Sequence, residues 1–85
     1  MTTDEQRVLA ECMRPRTRFE IGQTLGLTRE AVTKEIRKLE KKGLIISRGF
    51  TAARKHMTLA AAIEVLFKEI ARLSEEVETR FSNSS

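Results

Sequence analysis

The sequence predicts a mainly α-helical domain with one small β-hairpin, followed by a C-terminal helix longer than that domain needs for its own core. Three observations predict it. Threonine-led capping signals open three amphipathic stretches before residue 43. A short β-branched run, Leu44-Ile45-Ile46, is followed by a basic loop containing Gly49. From Leu59 onward the chain reads helical without interruption, with apolar residues at heptad steps. The 85 residues fit one compact unit at 1–58, a helix at 59–81 and a disordered tail at 82–85.

Taken in order, Thr3-Asp4-Glu5-Gln6 fits a capping box with Thr3 as N-cap, and Val8, Leu9, Cys12 and Met13 fall on one stripe. Helix 1 is therefore expected from about residue 4 to 13. Pro15 ends it, because the residue before a proline avoids helical angles. Thr17-Arg18-Phe19-Glu20 is a second capping box, opening a short helix to Leu25 whose apolar face comes from Phe19 or Ile21 and from Leu25. Gly22 costs this helix about 1 kcal/mol relative to alanine, which makes sense only if another helix crosses closely there.

Gly26 supplies a left-handed exit, Leu27 fills the corner and Thr28 caps helix 3, expected over 29–42. Val32, Ile36 and Leu39 recur at i, i+4 and i+7 and form its buried face. Gly43 closes it after Lys41 and Lys42. Leu44-Ile45-Ile46 is read as a strand, Arg48 to Lys55 as the turn, and Lys55-His56-Met57-Thr58 as the returning strand.

Thr58 caps the last helix, expected to run to Phe81. Its apolar residues Leu59, Ile63, Leu66, Ile70, Leu73 and Val77 are spaced 4, 3, 4, 3 and 4 apart, with Phe67 and Phe81 beside them. At 1.5 Å per residue such a helix is roughly 34 Å long. The seam predicts a dimer interface, with parallel and antiparallel pairing both open.

Composition narrows the chemistry. Cys12 and His56 are the lone cysteine and histidine, which excludes zinc-finger spacings and disulfide frameworks. With no GxSxG, P-loop or paired carboxylate cluster, no nucleophile–base pair can be proposed, so no enzyme, cofactor or metal is expected. Cys12 lies on an apolar stripe and reads as a core residue. The first residues lack the basic start and apolar stretch of a signal peptide, and no run approaches the roughly 20 apolar residues of a membrane span. A cytoplasmic protein is expected.

The net charge of +4 is unevenly spread: residues 1–13 carry −2, residues 14–58 carry +8 and residues 59–85 carry −2. A basic middle between acidic ends predicts a localised polyanion-binding surface.

The order of elements, and above all the stretch from Glu20-Ile21-Gly22 through Gly26-Leu27-Thr28 to Leu39-Glu40-Lys41-Lys42-Gly43-Leu44-Ile45, resembles winged helix-turn-helix domains of bacterial and archaeal regulators. The resemblance covers residues 17–59, and the MarR, ArsR and PadR families are closest in style. It departs from them in having Gly22 where alanine is usual, and in lacking the Asp-Arg-Arg sequence common in MarR wings, so no single family is assigned.

The resemblance implies a transcriptional regulator, expected to be a repressor, that places helix 3 in the major groove of double-stranded DNA. Arg29, Thr33, Lys34 and Arg37 are then the candidate base readers, since arginine and lysine suit guanine O6 and N7 and threonine suits a thymine methyl. Candidate phosphate contacts are Arg16, Thr17 and Arg18 at the start of helix 2, Lys41, and Arg48, Arg54 and Lys55 in the wing. A homodimer would read a near-palindromic site with half-site centres about 10 bp apart or a multiple of it. No small-molecule effector site is evident. Two other readings fit the same chain: a protein–protein adaptor using the fold as scaffold, and a DNA-organising or partition protein.

Overall fold

The computed structural model describes residues 1–83. Four α-helices and a three-stranded antiparallel sheet follow in the order α1 (Thr3–Glu11), β1 (Arg16–Thr17), α2 (Arg18–Leu25), α3 (Arg29–Lys41), β2 (Ile45–Arg48), β3 (Lys55–Thr58) and α4 (Leu59–Asn83). A single 3₁₀ turn, Thr51–Ala53, lies between β2 and β3. The sheet order is β1-β3-β2, with Ile45 opposite Thr58 and Arg16 opposite His56. The predicted class is found, a helical domain with a hairpin wing and a long closing helix.

Local chemistry explains most boundaries. Thr17 and Glu20 form the predicted reciprocal capping box, with bonds of 3.2 and 3.0 Å. Thr28 caps α3 through the Ala31 N–H, and Thr58 caps α4 through the Ala61 N–H. Gly26 sits at φ +67°, a conformation that costs an L side chain about 1–2 kcal/mol and glycine nothing. A Cβ added at Gly22 would lie 3.1 Å from the Leu27 carbonyl and 3.6 Å from Val32 Cγ2. The close approach inferred at Gly22 is thus to the turn itself and to α3.

Four details differ from expectation, and one open choice, between Phe19 and Ile21, is decided. The N-cap of α1 is Thr2 rather than Thr3, because Glu5 rather than Gln6 takes the third helical position, where its carboxylate also meets Lys42. Since α1 ends at Glu11, Met13 leaves the helical period and is exposed. On α2 it is Ile21 that is buried, and Phe19 points outward. The strand β1 was not expected; two residues give no periodic signal and are held by pairing with β3. The last helix continues to Asn83, past its expected end at Phe81, while residues 84–85 of the expected tail lie outside the described residues.

One core joins the three short helices to the sheet. Val8 and Cys12 from α1, Ile21 from α2, Val32, Ile36 and Leu39 from α3 and Ile45 from β2 are buried together, with Leu9, Leu25 and Leu27 packed around them. Burying such a side chain contributes about 1.5–3 kcal/mol each, so this cluster fixes how α3 is mounted. Burial also pushes the Cys12 thiol up to about 11, which keeps it protonated and inert at neutral pH.

A second, smaller cluster of Met57, Ala61 and Ala62 seats the first turns of α4 on the sheet. The Thr58 N–H donates to the Cys12 carbonyl at 2.8 Å and ties this junction to the end of α1. Beyond it α4 projects outward, giving extents of 58 × 22 × 18 Å. The seam residues Leu59, Ile63, Leu66, Ile70, Leu73 and Val77 are all about half exposed within the single chain. Among the described residues, no helix is long and apolar enough to cross a membrane.

Candidate nucleic-acid interface

Burial of Val32, Ile36 and Leu39 turns the opposite side of α3 to solvent. Arg29, Glu30, Thr33, Lys34 and Arg37 line one shallow, open surface there. Arg29, Lys34 and Arg37 are exposed and make no ion pair among the described residues. Glu35, on the other side of α3, is buried and pairs with Lys38 at 3.6 Å. Glu35 is thus held inward with Lys38, while Arg29, Lys34 and Arg37 face out unpaired beside Glu30.

The other expected contact residues divide into free and committed groups. Lys41, Arg54 and Lys55 are exposed, and none is in an ion pair among the described residues. Arg16 is half-buried and held by Glu20 at 3.5 Å, and the Thr17 hydroxyl accepts the Glu20 N–H. Arg18 is half-buried and donates to Thr33 Oγ1 at 3.4 Å, bracing α2 against the outward face of α3. Arg48 is drawn toward α4 by Glu69 at 3.6 Å. The bonds of Arg18 to Thr33 and of Arg48 to Glu69 were not legible in sequence, because each joins elements brought together by the fold.

Between α2, the start of α3 and the wing runs a cleft bordered by Arg18, Phe19, Gln23, Arg29, Thr51 and Arg54. Three guanidinium groups around one channel suit a sugar–phosphate strand passing from the α3 surface to the wing. Gln23 and Phe19 were not among the sequence candidates. They become neighbours of the cleft only through the angle between α2 and α3.

Behind this cleft, His56 is fully buried on β3. Its Nδ1 lies 2.6 Å from Ser47 Oγ, and Ser47 can donate its single proton to Glu40 at 3.0 Å. In that arrangement Nδ1 carries the imidazole proton and donates to Ser47, leaving Nε2 as a buried acceptor without a partner. The network ties β2 and β3 to the end of α3, so the wing and α3 are mechanically joined.

Burial, then the charge of Arg18 and more weakly that of Arg54, push the His56 pKa down to about 4, against an upward pull from Glu40. An unfolded chain takes up this proton near pH 6.5, so between about 6.5 and 4 the unfolded state binds more protons and stability falls as pH falls. Denaturant titrations should show the wild type losing about 2 kcal/mol between pH 7 and pH 5 from this group, a loss that His56→Gln removes. An unchanged pH slope in the variant would mean that His56 takes up its proton as readily in the fold as in the unfolded chain.

The Crp-like helix-turn-helix domain family matches residues 2–61, most of the chain. No curated protein sequence matches it. Among solved structures, the chain is similar to a point mutant of Lactococcus lactis ZitR, with a TM-score of 0.64 and 22% identity over 93% of this chain and 57% of that one. It is also similar to MepR, a transcription regulator of the Staphylococcus aureus multidrug efflux pump MepA, with a TM-score of 0.64 and 20% identity over 100% of this chain and 67% of that one. At these identities the likeness concerns the fold, and the chain spans from just over half to two-thirds of the length of these solved proteins.

Proposed function

The chain belongs to the Crp-like helix-turn-helix domain family, and from that premise we propose that it is a sequence-specific regulator of transcription that binds double-stranded DNA as a homodimer and represses by occupying a near-palindromic site. The observation that carries this reading is the exposed, unpaired set Arg29, Lys34 and Arg37 on the outward face of α3. These side chains would lie in the major groove and meet base edges there. Arg18 and Arg54, flanking the cleft, would hold the adjoining phosphate strand, and Lys41 and Lys55 would extend that grip.

The dimer rests on α4. At its heptad spacing, Ile63, Ile70 and Val77 take one core position, while Leu59, Leu66 and Leu73 take the other. In a parallel coil, β-branched residues at a with leucine at d favour two strands. Such a coil would carry both domains at one end, with their two α3 surfaces facing the same DNA.

The experiment is a salt titration of duplex binding. Four to six phosphates neutralised per subunit give a slope of log affinity against log salt of about −4 to −5 per subunit. A flat response would remove the electrostatic basis and favour an adaptor role instead. Selection from random duplexes, followed by sequencing, separates a specific regulator from a DNA-organising protein: a conserved paired motif supports the first and its absence the second.

A further inference from the structure

The tip of the wing carries a side chain that neither the core nor the α3 surface uses. Phe50 is 87% exposed, more than any other large apolar residue among those described. It lies between Gly49 at φ +97° and Thr51 at φ +55°, and Thr51 is the one described non-glycine residue with positive φ. A β-branched residue in that region costs on the order of 1 kcal/mol or more. The strain is held by the 3₁₀ turn Thr51–Ala53 and by the Thr51 hydroxyl, which donates to the Phe50 carbonyl at 2.7 Å. A turn that needed only to reverse the chain would have no use for an aromatic ring in water, or for a threonine in this conformation.

Charge and position both say what the ring meets. Between Glu40 and Glu64 the sequence holds five cations and no carboxylate, so the wing repels basic partners and attracts a polyanion. Thr51, which follows Phe50, and Arg54 border the same cleft as Arg29 at the start of α3. If α3 lies in a major groove and a phosphate strand crosses the cleft, a wing tip beyond that strand would meet the adjoining minor groove.

We propose that Phe50 is an apolar wedge: it enters the minor groove beside the α3 site and partly unstacks a base step, so the protein kinks its DNA and favours flexible pyrimidine–purine steps there. The inference rests on the DNA-binding reading above and adds a deformation to it. It also predicts a sequence preference at positions that no hydrogen-bonding side chain reaches.

The test uses duplexes with a random core flanked by alternating A·T pairs, with 2-aminopurine at the flanking TpA steps. Anisotropy of an end label reports binding, and 2-aminopurine emission reports unstacking. Wild-type protein should raise the emission about twofold or more at saturation, and Phe50→Ala should bind with affinity reduced about tenfold or less while raising it little. Phe50→Leu, which keeps an apolar wedge, should retain most of the rise. Because Phe50 touches no core residue, these variants should fold as wild type does. Emission that rises equally with Phe50→Ala, or that stays flat although wild-type protein is bound, overturns the wedge and leaves DNA binding standing. Failure of the wild type to bind at low salt overturns both.

Discussion

Replacing Arg29, Lys34 and Arg37 together by alanine is expected to weaken duplex binding about a thousandfold while leaving the fold intact. Each arginine or lysine lying against guanine N7 and O6 contributes about 1–3 kcal/mol, so losing three removes about 3–9 kcal/mol, and a thousandfold, about 4 kcal/mol, lies toward the lower end of that range. The fold should survive because none of the three is buried or in an ion pair among the described residues, and alanine is at least as good a helix former. Far-ultraviolet circular dichroism and thermal midpoint check the fold; anisotropy on a selected duplex checks binding. Substituting Lys68, an exposed α4 cation paired with Glu64, supplies a control expected to change little. A loss below about tenfold in the triple variant would show that α3 is not the reading element.

Ile70→Glu should convert the dimer to monomers at micromolar concentration, weakening self-association about a thousandfold or more. Ile70 is 58% exposed on the isolated chain, so a glutamate there does not disturb the domain itself. In a two-stranded coil the same substitution places two carboxylates against each other in an apolar seam, where desolvation and repulsion together cost several kcal/mol. Affinity for a paired site should then fall about a hundredfold, because the second half-site is no longer bound as an intramolecular event. Analytical ultracentrifugation reads the first effect and titration on paired and single half-sites reads the second. A variant that sediments as wild type would place the dimer contact elsewhere.

The fold was legible where one residue decides one local geometry. Thr17 with Glu20, Gly26, Thr28 and Thr58 each set a boundary through bonds to their own neighbours, and Val32, Ile36 and Leu39 declared the buried side of α3 by spacing alone. It was not legible where two local solutions are nearly equal. Thr2 and Thr3 both begin a T-x-x-E/Q pattern, and the choice between them goes with a contact from α1 to Lys42 across the domain. In α2, eight residues are too few to separate Phe19 from Ile21 by periodicity.

The candidate site divides in the same way. The unpaired cations of α3 follow from the helical period, so Arg29, Lys34 and Arg37 were found from sequence. Commitments such as Arg18 to Thr33, Arg48 to Glu69 and His56 to Ser47 join residues that are 15, 21 and 9 positions apart. These arise only after the sheet and helices assemble. Phe50 was not singled out from sequence; its exposure at the wing tip emerges only from the structure.

Entry of the outward face of α3 into duplex DNA can be read residue by residue in a nuclear magnetic resonance titration of labelled protein with a selected duplex. The largest shift changes should fall on Arg29, Thr33, Lys34 and Arg37, with a second group at Arg54 and Lys55 and little change along α4 beyond Ile70. Changes concentrated on α1 or α4, with α3 unmoved at saturation, would contradict the account.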